Sequence, residues 1–544
     1  MSEKGRIARA AGVVSALTVL SRITGLARDM VVGYLFGAGT GADAFFVAYR
    51  IPNLFRRFVA EGAATAAFIP IFTGYLTAGP RTEADRAARV LATTMGVVLA
   101  VLAVLGVLLA GPITALFAPG FEAVPGKLAL TVDLTRLVFP YLFLIGMVAA
   151  AMGILNSLRS FAAPAYAPIV MNVAMLLVAL ALTPWLGVYA LAIGVLAGGV
   201  AQLLSQVPAL RGHGIPLRPL WEPGHPAVRR LGILLFPTLF GSAVYQINVM
   251  VSTMFASLLP TGSVAYLWYA ERLFEFPLGV FAVALSTAAL PSFAALAKRD
   301  RAEFRDTVVF ALRLTTVIAL PAAVGLALTA EPVVSVLFLR GEFSAADAAE
   351  TSLAVRYFAL GLWSVAAVRV LVPAFYALED TRTPVVAAAI AFVANVAFAA
   401  ACIGPLGAPP DSLLGTALAA ATRALAVVEL RHGGLALATS LSATVNLVVL
   451  CALLGRKIGG FAWRDWAASI ARTGAATAVM VPAVTALTGR VAWLDGSVPL
   501  GARVAWLALV LAVGAGVFGA AVLLLGGPEV RALRARLRTR ARRT

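Results

Sequence analysis

Charged side chains recur inside otherwise apolar stretches of this 544-residue chain. The run Ser21-Arg22-Ile23-Thr24-Gly25-Leu26-Ala27-Arg28-Asp29 carries two cations and one carboxylate. The next apolar stretch holds Asp43, Arg50, Arg56, Arg57 and Glu61, and a later one holds Glu271, Arg272 and Glu275. An arginine at the centre of a bilayer costs about 2.5–3.5 kcal/mol on insertion scales, so such residues pair with carboxylates or line a wet cavity. Arg28 with Asp29 and Arg57 with Glu61 can be read as ion pairs that only hold helices together. As a set, however, the cations outnumber the carboxylates able to neutralise them. An electropositive cavity takes an anionic ligand, and the planar fork of arginine suits phosphate oxygens in particular.

Other chemistries find no support. Cys402 and Cys451 lie inside apolar runs, and His213, His225 and His432 sit in connections without a partner at ligand spacing, so neither a disulfide framework nor a metal site is expected. A membrane glycosyltransferase or phosphatase needs a carboxylate pair or a His/Ser nucleophile. Glu379-Asp380 beside Arg382 reads instead as a solvated turn. The chain is therefore expected to be a transporter and not an enzyme, and to use no cofactor. A drug exporter would want a carboxylate-centred, more apolar cavity.

The elements that position these charges follow from composition. Hydrophobic residues make up 61% of the chain and charged ones 12%, about half the charge of a soluble domain, with mean hydropathy +0.94. The solvent for such a surface is lipid, and each crossing needs about 20 mainly apolar residues. Fourteen crossings are expected, numbered one to fourteen: 10–35, 42–73, 88–111, 130–156, 161–183, 187–209, 229–258, 264–297, 306–330, 350–377, 384–403, 434–455, 466–488 and 502–525. No cleavable leader is expected before the first. Cations collect in the even-numbered connections and the tails, as in Arg81, Arg86, Arg89 and Lys298, Arg299, Arg301, Arg305, out of a net charge of +18. The opposite connections are short or acidic, with Glu331, Glu342, Asp347 and Glu350. By the positive-inside rule both termini face the cytoplasm.

Residues 407–432 break the count, because an extra crossing would put the arginine-rich tail outside. They are expected to form an outer-face loop with an amphipathic helix lying at the interface. The tail, 528–544, has no aromatic residue to stack on bases; it reads as a topology anchor on anionic headgroups, with no nucleic-acid partner.

The chain also repeats itself. Gly41–Phe72 aligns without a gap with Gly262–Phe293, pairing Pro70 with Pro291 and Phe72 with Phe293, and Pro164 stands at nearly the same spacing from Pro384. Two-lobed transporters show such duplication, with the ligand held near the midplane. The expected fold is an all-α integral membrane protein with two pseudo-symmetric six-helix lobes, 1–215 and 216–460, followed by two further helices in 461–527. Pro52 and Pro277 free backbone groups where bending would help, or are static kinks that membrane helices tolerate. Gly194 and Gly198 are read as close helix packing.

The segments SRITGLARD, GADAFFVAYRIPNLFRRFVAEGA and YAERLFEFPLGVFAVALSTAALPS resemble the first, second and eighth helices of the MurJ/MviN family, and LFLRGEFSAAD and PAFYALEDTRTPV add further matches. The similarity is colinear over most of residues 8–455. It implies a member of the multidrug/oligosaccharidyl-lipid/polysaccharide exporter superfamily that moves lipid II, the undecaprenyl-pyrophosphate-linked peptidoglycan precursor, from the inner to the outer leaflet of the bacterial plasma membrane. A related exporter of another polyprenyl-linked saccharide or of drugs is the alternative. The resemblance places substrate-binding arginines at Arg22, Arg28, Arg56 and Arg272, and pairing or gating groups at Asp29, Arg57, Glu61 and Glu275. It puts a groove for the lipid tail along crossings thirteen and fourteen, and suggests membrane lipids and cell-wall synthesis proteins as partners. The 407–432 segment is longer than the family's usual link.

Overall fold

The computed structural model describes residues 3–56, 64–406 and 413–526. Among these the chain is helical, with one isolated antiparallel bridge between Ile403 and Glu429. Helices satisfy their own backbone groups, which is what a hydrocarbon surround demands. Ten of the described helices are long and apolar enough to cross a membrane, and they coincide with expected crossings three to six and nine to fourteen. Crossings one, two, seven and eight are helical as well. They are Glu3–Phe36, Thr40–Arg56 with Ala64–Ala78, Pro226–Ser257, and Ser263–Pro277 continuing through Leu278–Ala282 into Val283–Ala297. Three of these four carry the charged residues singled out above. A five-residue π-helical stretch begins at Leu278, directly after Pro277, where the missing proline N–H has already broken the regular ladder.

The duplication is visible in the helix boundaries. Arg81–Leu108 and Arg301–Leu328 are both 28 residues long, and their starts, 81 and 301, differ by 220. The short helices Ala110–Phe117 and Ala330–Phe338 start the same distance apart, as do Ala162–Leu186 and Arg382–Cys402. Even the turns match. Arg159 and Glu379 both have positive φ, 58° and 60°. The next amide in each turn donates back five residues, Ser160 to Leu155 at 2.8 Å and Asp380 to Phe375 at 3.0 Å, the pattern that closes a helix through a left-handed residue.

Register is lost only afterwards. Tyr189–Leu204 and His432–Lys457 start at 189 and 432, and the excess falls in the segment flagged by the crossing count. That segment contains the helix Leu413–Leu425, 13 residues long. At 1.5 Å per residue it reaches about 20 Å, short of a hydrocarbon core of about 30 Å. It exposes Leu413 and buries Ala419 and Thr422. The amides of Val427 and Leu430 donate to the carbonyls of Ala401 and Cys402, pinning its far end.

Two compact units emerge, Met1–Ala265 with Ala408–Ala417, and Tyr266–Gly407 with Leu418–Thr544. The first is centred on Phe68, Phe72, Leu91, Ile154 and Leu155. The second is centred on Phe293, Phe304, Leu312, Phe375 and Leu454. Phe72 and Phe293, partners in the sequence repeat, are both fully buried. Compactness and repetition divide the chain at different places. The helix Pro226–Ser257 begins the second repeat, yet it packs on Ala64–Ala78 and Arg81–Leu108 in the first unit. Gly194 and Gly198 do mark a close approach, since a Cβ there would meet the Met175 and Met171 carbonyl oxygens at 3.1 and 2.9 Å.

A buried polar knot closes the first unit. Asp43 accepts from Lys127 Nζ at 2.8 Å and from the amides of Gly262 and Ala265 at 2.8 and 2.9 Å. Both charged side chains are almost wholly buried, and Lys127 lies 4.2 Å over the Phe121 ring. Removing one member of such a pair leaves an uncompensated buried charge, which costs about 3–5 kcal/mol. Lys127→Met should therefore lower the thermal unfolding midpoint of the purified protein sharply, and adding Asp43→Asn should restore part of the loss. A Lys127→Met protein as stable as wild type would show that the knot contributes nothing.

Candidate anion-binding site

The helix Glu3–Phe36 brings Ser21, Thr24 and Arg28 toward one neighbour, the helix Ala162–Leu186. Spacings of three, four and seven residues put Ser21, Thr24 and Arg28 on one stripe of a 3.6-residue helix. Arg28 donates from Nε and Nη2 to Asp29 Oδ1, at 3.0 and 2.8 Å, and from Nη1 to Asn172 Oδ1 at 3.1 Å. Asn172 in turn donates through Nδ2 to the Ser21 carbonyl at 3.3 Å and to Thr24 Oγ1 at 3.4 Å. The Arg28 and Asp29 side chains are 11% and 3% exposed. Tyr49 and Tyr141, with rings 6.4 Å apart, stand near enough to Arg28 to couple with it electrostatically.

The clamp leaves capacity unused. A guanidinium has five N–H donors, and three of those of Arg28 are engaged, leaving one on each terminal nitrogen. Arg22, two turns earlier, is half-buried and makes no hydrogen bond or ion pair among the described residues. Arg50 donates to Thr253 Oγ1 at 2.9 Å. Asp43, which sequence alone offers as a counter-charge, is taken by Lys127.

Arg272 lies in the other unit, on Ser263–Pro277. Its Nη1 donates to Glu275 Oε2 at 3.1 Å, one helical turn on. Its guanidinium carbon stands 4.5 Å from the Trp268 ring centroid, one turn back, a stacking that favours a partly desolvated cation. The structure thus pairs Asp29 with Arg28 and Glu275 with Arg272 through contacts along each helix. Arg56 closes the helix Thr40–Arg56, but its side chain, and Arg57 and Glu61 entirely, lie outside the described residues. Asp380 is occupied by protein groups, accepting from Lys457 and from the Thr383 amide and hydroxyl. Burial would raise its carboxyl pKa, but those hydrogen bonds override burial and hold it well below the usual carboxylate range.

Two participants escaped sequence reasoning. Lys127 stands just before the expected start of crossing four and reads as a loop cation. Asn172 was visible as a lone amide in the apolar run PIVMNVAM, a signal that spacing alone does not connect to Arg28.

Comparison with known proteins places the chain in a family. The family model described as "Lipid II flippase MurJ" matches residues 32–502. A relative from Vibrio cholerae serotype O1, "Probable lipid II flippase MurJ", is 38% identical over 456 residues, 82% of each chain. The "Lipid II flippase MurJ" of Burkholderia cenocepacia is 38% identical over 69% of this chain and 74% of its own. Among solved structures, "Lipid II flippase MurJ, inward closed conformation" superposes with TM-score 0.75 at 24% identity, covering 94% of this chain and 98% of that one. An inward-facing multidrug resistance MATE transporter of the MOP superfamily gives 0.63 at 15% identity, over 82% and 98%. The last two share the fold.

The Asn172 contact separates clamping from ligand binding. Asn172→Asp keeps an acceptor for Arg28 and would strengthen a clamp, yet it cancels the charge a ligand needs. In cells that depend on this chain, Asn172→Asp should reduce activity by about tenfold or more, equivalent to about 1.4 kcal/mol, at unchanged membrane protein level. Activity equal to or above wild type would make Arg28 a helix-pairing charge only.

Proposed function

The chain belongs to the lipid II flippase MurJ family, and from that membership we propose that it carries lipid II from the inner to the outer leaflet of a bacterial plasma membrane. The observation that carries the proposal is the charge of Arg22 and the unused donors of Arg28 in crossing one. Arg22 is unpaired among the described residues, and Arg28 keeps two free N–H donors although it is nearly buried. A diphosphate diester supplies what is missing, namely negative charge with several acceptor oxygens.

In this reading Arg22, Arg28, Arg56 and Arg272 are the substrate-binding residues, each suited to the anionic oxygens of the headgroup and diphosphate. Asp29 and Glu275 hold two of those forks in place, and Arg57 and Glu61 pair or gate beside them. The polyprenyl tail stays in the bilayer along crossings thirteen and fourteen. Transport proceeds by alternating access, the site opening to one side of the membrane and then the other. Pro277 and the π-helical stretch after it give crossing eight a ready place to bend. Both termini face the cytoplasm, which follows from the cation-rich connections, and 407–432 faces outward, where cell-wall synthesis proteins take up the precursor. The mechanism is transport without bond chemistry and draws on no cofactor.

Replacing arginine by lysine tests whether geometry or charge matters. Lysine keeps the charge and loses the paired donors of the fork. Arg28→Lys and Arg272→Lys should each cut outer-leaflet lipid II substantially in cells carrying the variant as sole copy, while the exposed control Arg299→Lys should be silent. Full export by both would reject bidentate recognition of the diphosphate.

A further inference from the structure

A second group of cations lies far along the chain from crossing one, within the unit that contains Tyr266–Gly407. Arg503 is 6% exposed and sits in the first turn of the helix Leu500–Leu525. Its Nη1 donates to Ser335 Oγ at 3.0 Å and to the Ser335 carbonyl at 3.4 Å. Ser335 itself donates to the Trp493 carbonyl at 2.6 Å. Arg340, just past the helix Ala330–Phe338, donates from Nη2 to the carbonyls of Val336 and Leu337 at 2.7 and 2.6 Å.

What is missing is negative charge. Neither arginine meets a carboxylate among the described residues, and the Nε atoms of both are shut from solvent without a hydrogen-bond partner. Arg503 Nη2 and Arg340 Nη1 make no hydrogen bond either. Every contact described is to a neutral oxygen. Three effects disfavour the cations. Arg503 is buried, it lies at a helix N-terminus whose aligned N–H dipoles repel positive charge, and it stands close enough to Arg340 to repel it. Burial first, and then Arg503, push the Arg340 pKa down. Ion pairs elsewhere in the chain show the alternative, as where Glu331, on the same short helix, pairs with Arg356.

The position narrows the ligand. In the topology of the proposed function, on which this inference rests, the connections 331–349 and 489–499 face outward, where cations are disfavoured. From Arg503 the helix runs into the membrane exposing Val504, Leu509 and Leu511. A ligand that fills the charge gap and covers that face carries an anionic oxygen-rich head on apolar chains. We propose that Arg340 and Arg503 form a site for the phosphate of an anionic phospholipid headgroup at the outer end of crossing fourteen. Arg340, half-exposed, offers its free Nη1 at the entrance, and Arg503 closes the site behind it through Nη2, with Ser335 fixing the Arg503 fork.

Native mass spectrometry of the full chain in detergent tests this with phosphatidylglycerol, phosphatidylcholine and inorganic phosphate as probes. Wild type should retain phosphatidylglycerol over phosphatidylcholine, and Arg340→Gln or Arg503→Gln should lower that retention about tenfold, the loss of a charge-assisted contact. Should Arg503→Gln fail to fold, Arg340→Gln carries the test, because its half-exposed side chain fills no core. Equal retention by wild type and Arg340→Gln overturns the site. Displacement of the lipid by millimolar inorganic phosphate alone overturns the lipid as ligand and leaves a simple anion site. Arg28→Ala should keep phosphatidylglycerol retention, so loss of lipid II export in that variant and loss of headgroup binding in Arg340→Gln report on separate readings.

Discussion

A charge taken out of water must be matched, and this constraint organises the whole chain. At an effective dielectric well below that of water, an unmatched cation is too costly for a helix that faces lipid. The structure meets the constraint in two ways. Asp43 and Lys127 neutralise one another completely, with two backbone amides saturating the carboxylate, and the result is a rigid joint. Arg28 is paired with Asp29 and also donates to Asn172, yet one N–H on each terminal nitrogen stays unused. The contacts it has keep the guanidinium oriented before a ligand arrives to take those donors.

The duplication shows how one scaffold accommodates both arrangements. In the first repeat the start of crossing two is tied to that of crossing four by the Asp43–Lys127 ion pair. At the matching place in the second repeat Tyr266 Oη donates to Asp347 Oδ1 at 3.0 Å, while Asp347 also completes the capping box with Ser344. The geometry of the tie persists although its chemistry has changed from an ion pair to a single charge-assisted hydrogen bond. Such divergence is expected when packing, set by residues such as Phe72 and Phe293, fixes helix positions independently of any one polar contact. The insertion between Cys402 and His432 is tolerated for the same reason, since its backbone bonds return it to the helix end it leaves.

Much of this was legible in the residue pattern. Ten crossings declared themselves by apolar length. The repeat declared itself through Gly41 with Gly262 and Pro70 with Pro291, pairs that small apolar residues would not make convincing. Charge on either side of 407–432 argues against a further crossing there, and the described helix Leu413–Leu425 has 13 residues. The polar partnerships were less legible. Asn172 meets Arg28 across 144 positions of chain and Lys127 meets Asp43 across 84, and no local spacing rule connects residues so far apart. Asp43 reads as one of several charges within crossing two, and its partner Lys127 lies outside every expected crossing. Arg503 lay at the mouth of an unremarkable crossing, and only its burial beside Arg340 sets it apart.

The central claim is that arginines with donors left unused move lipid II. It is tested most directly in a strain depleted of its own lipid II flippase and supplied with this chain alone, by measuring lipid II in the outer leaflet. Wild type should restore both growth and outer-leaflet lipid II, and Arg28→Ala should restore neither at equal membrane abundance. A correctly inserted wild-type chain that leaves lipid II confined to the inner leaflet would contradict the account.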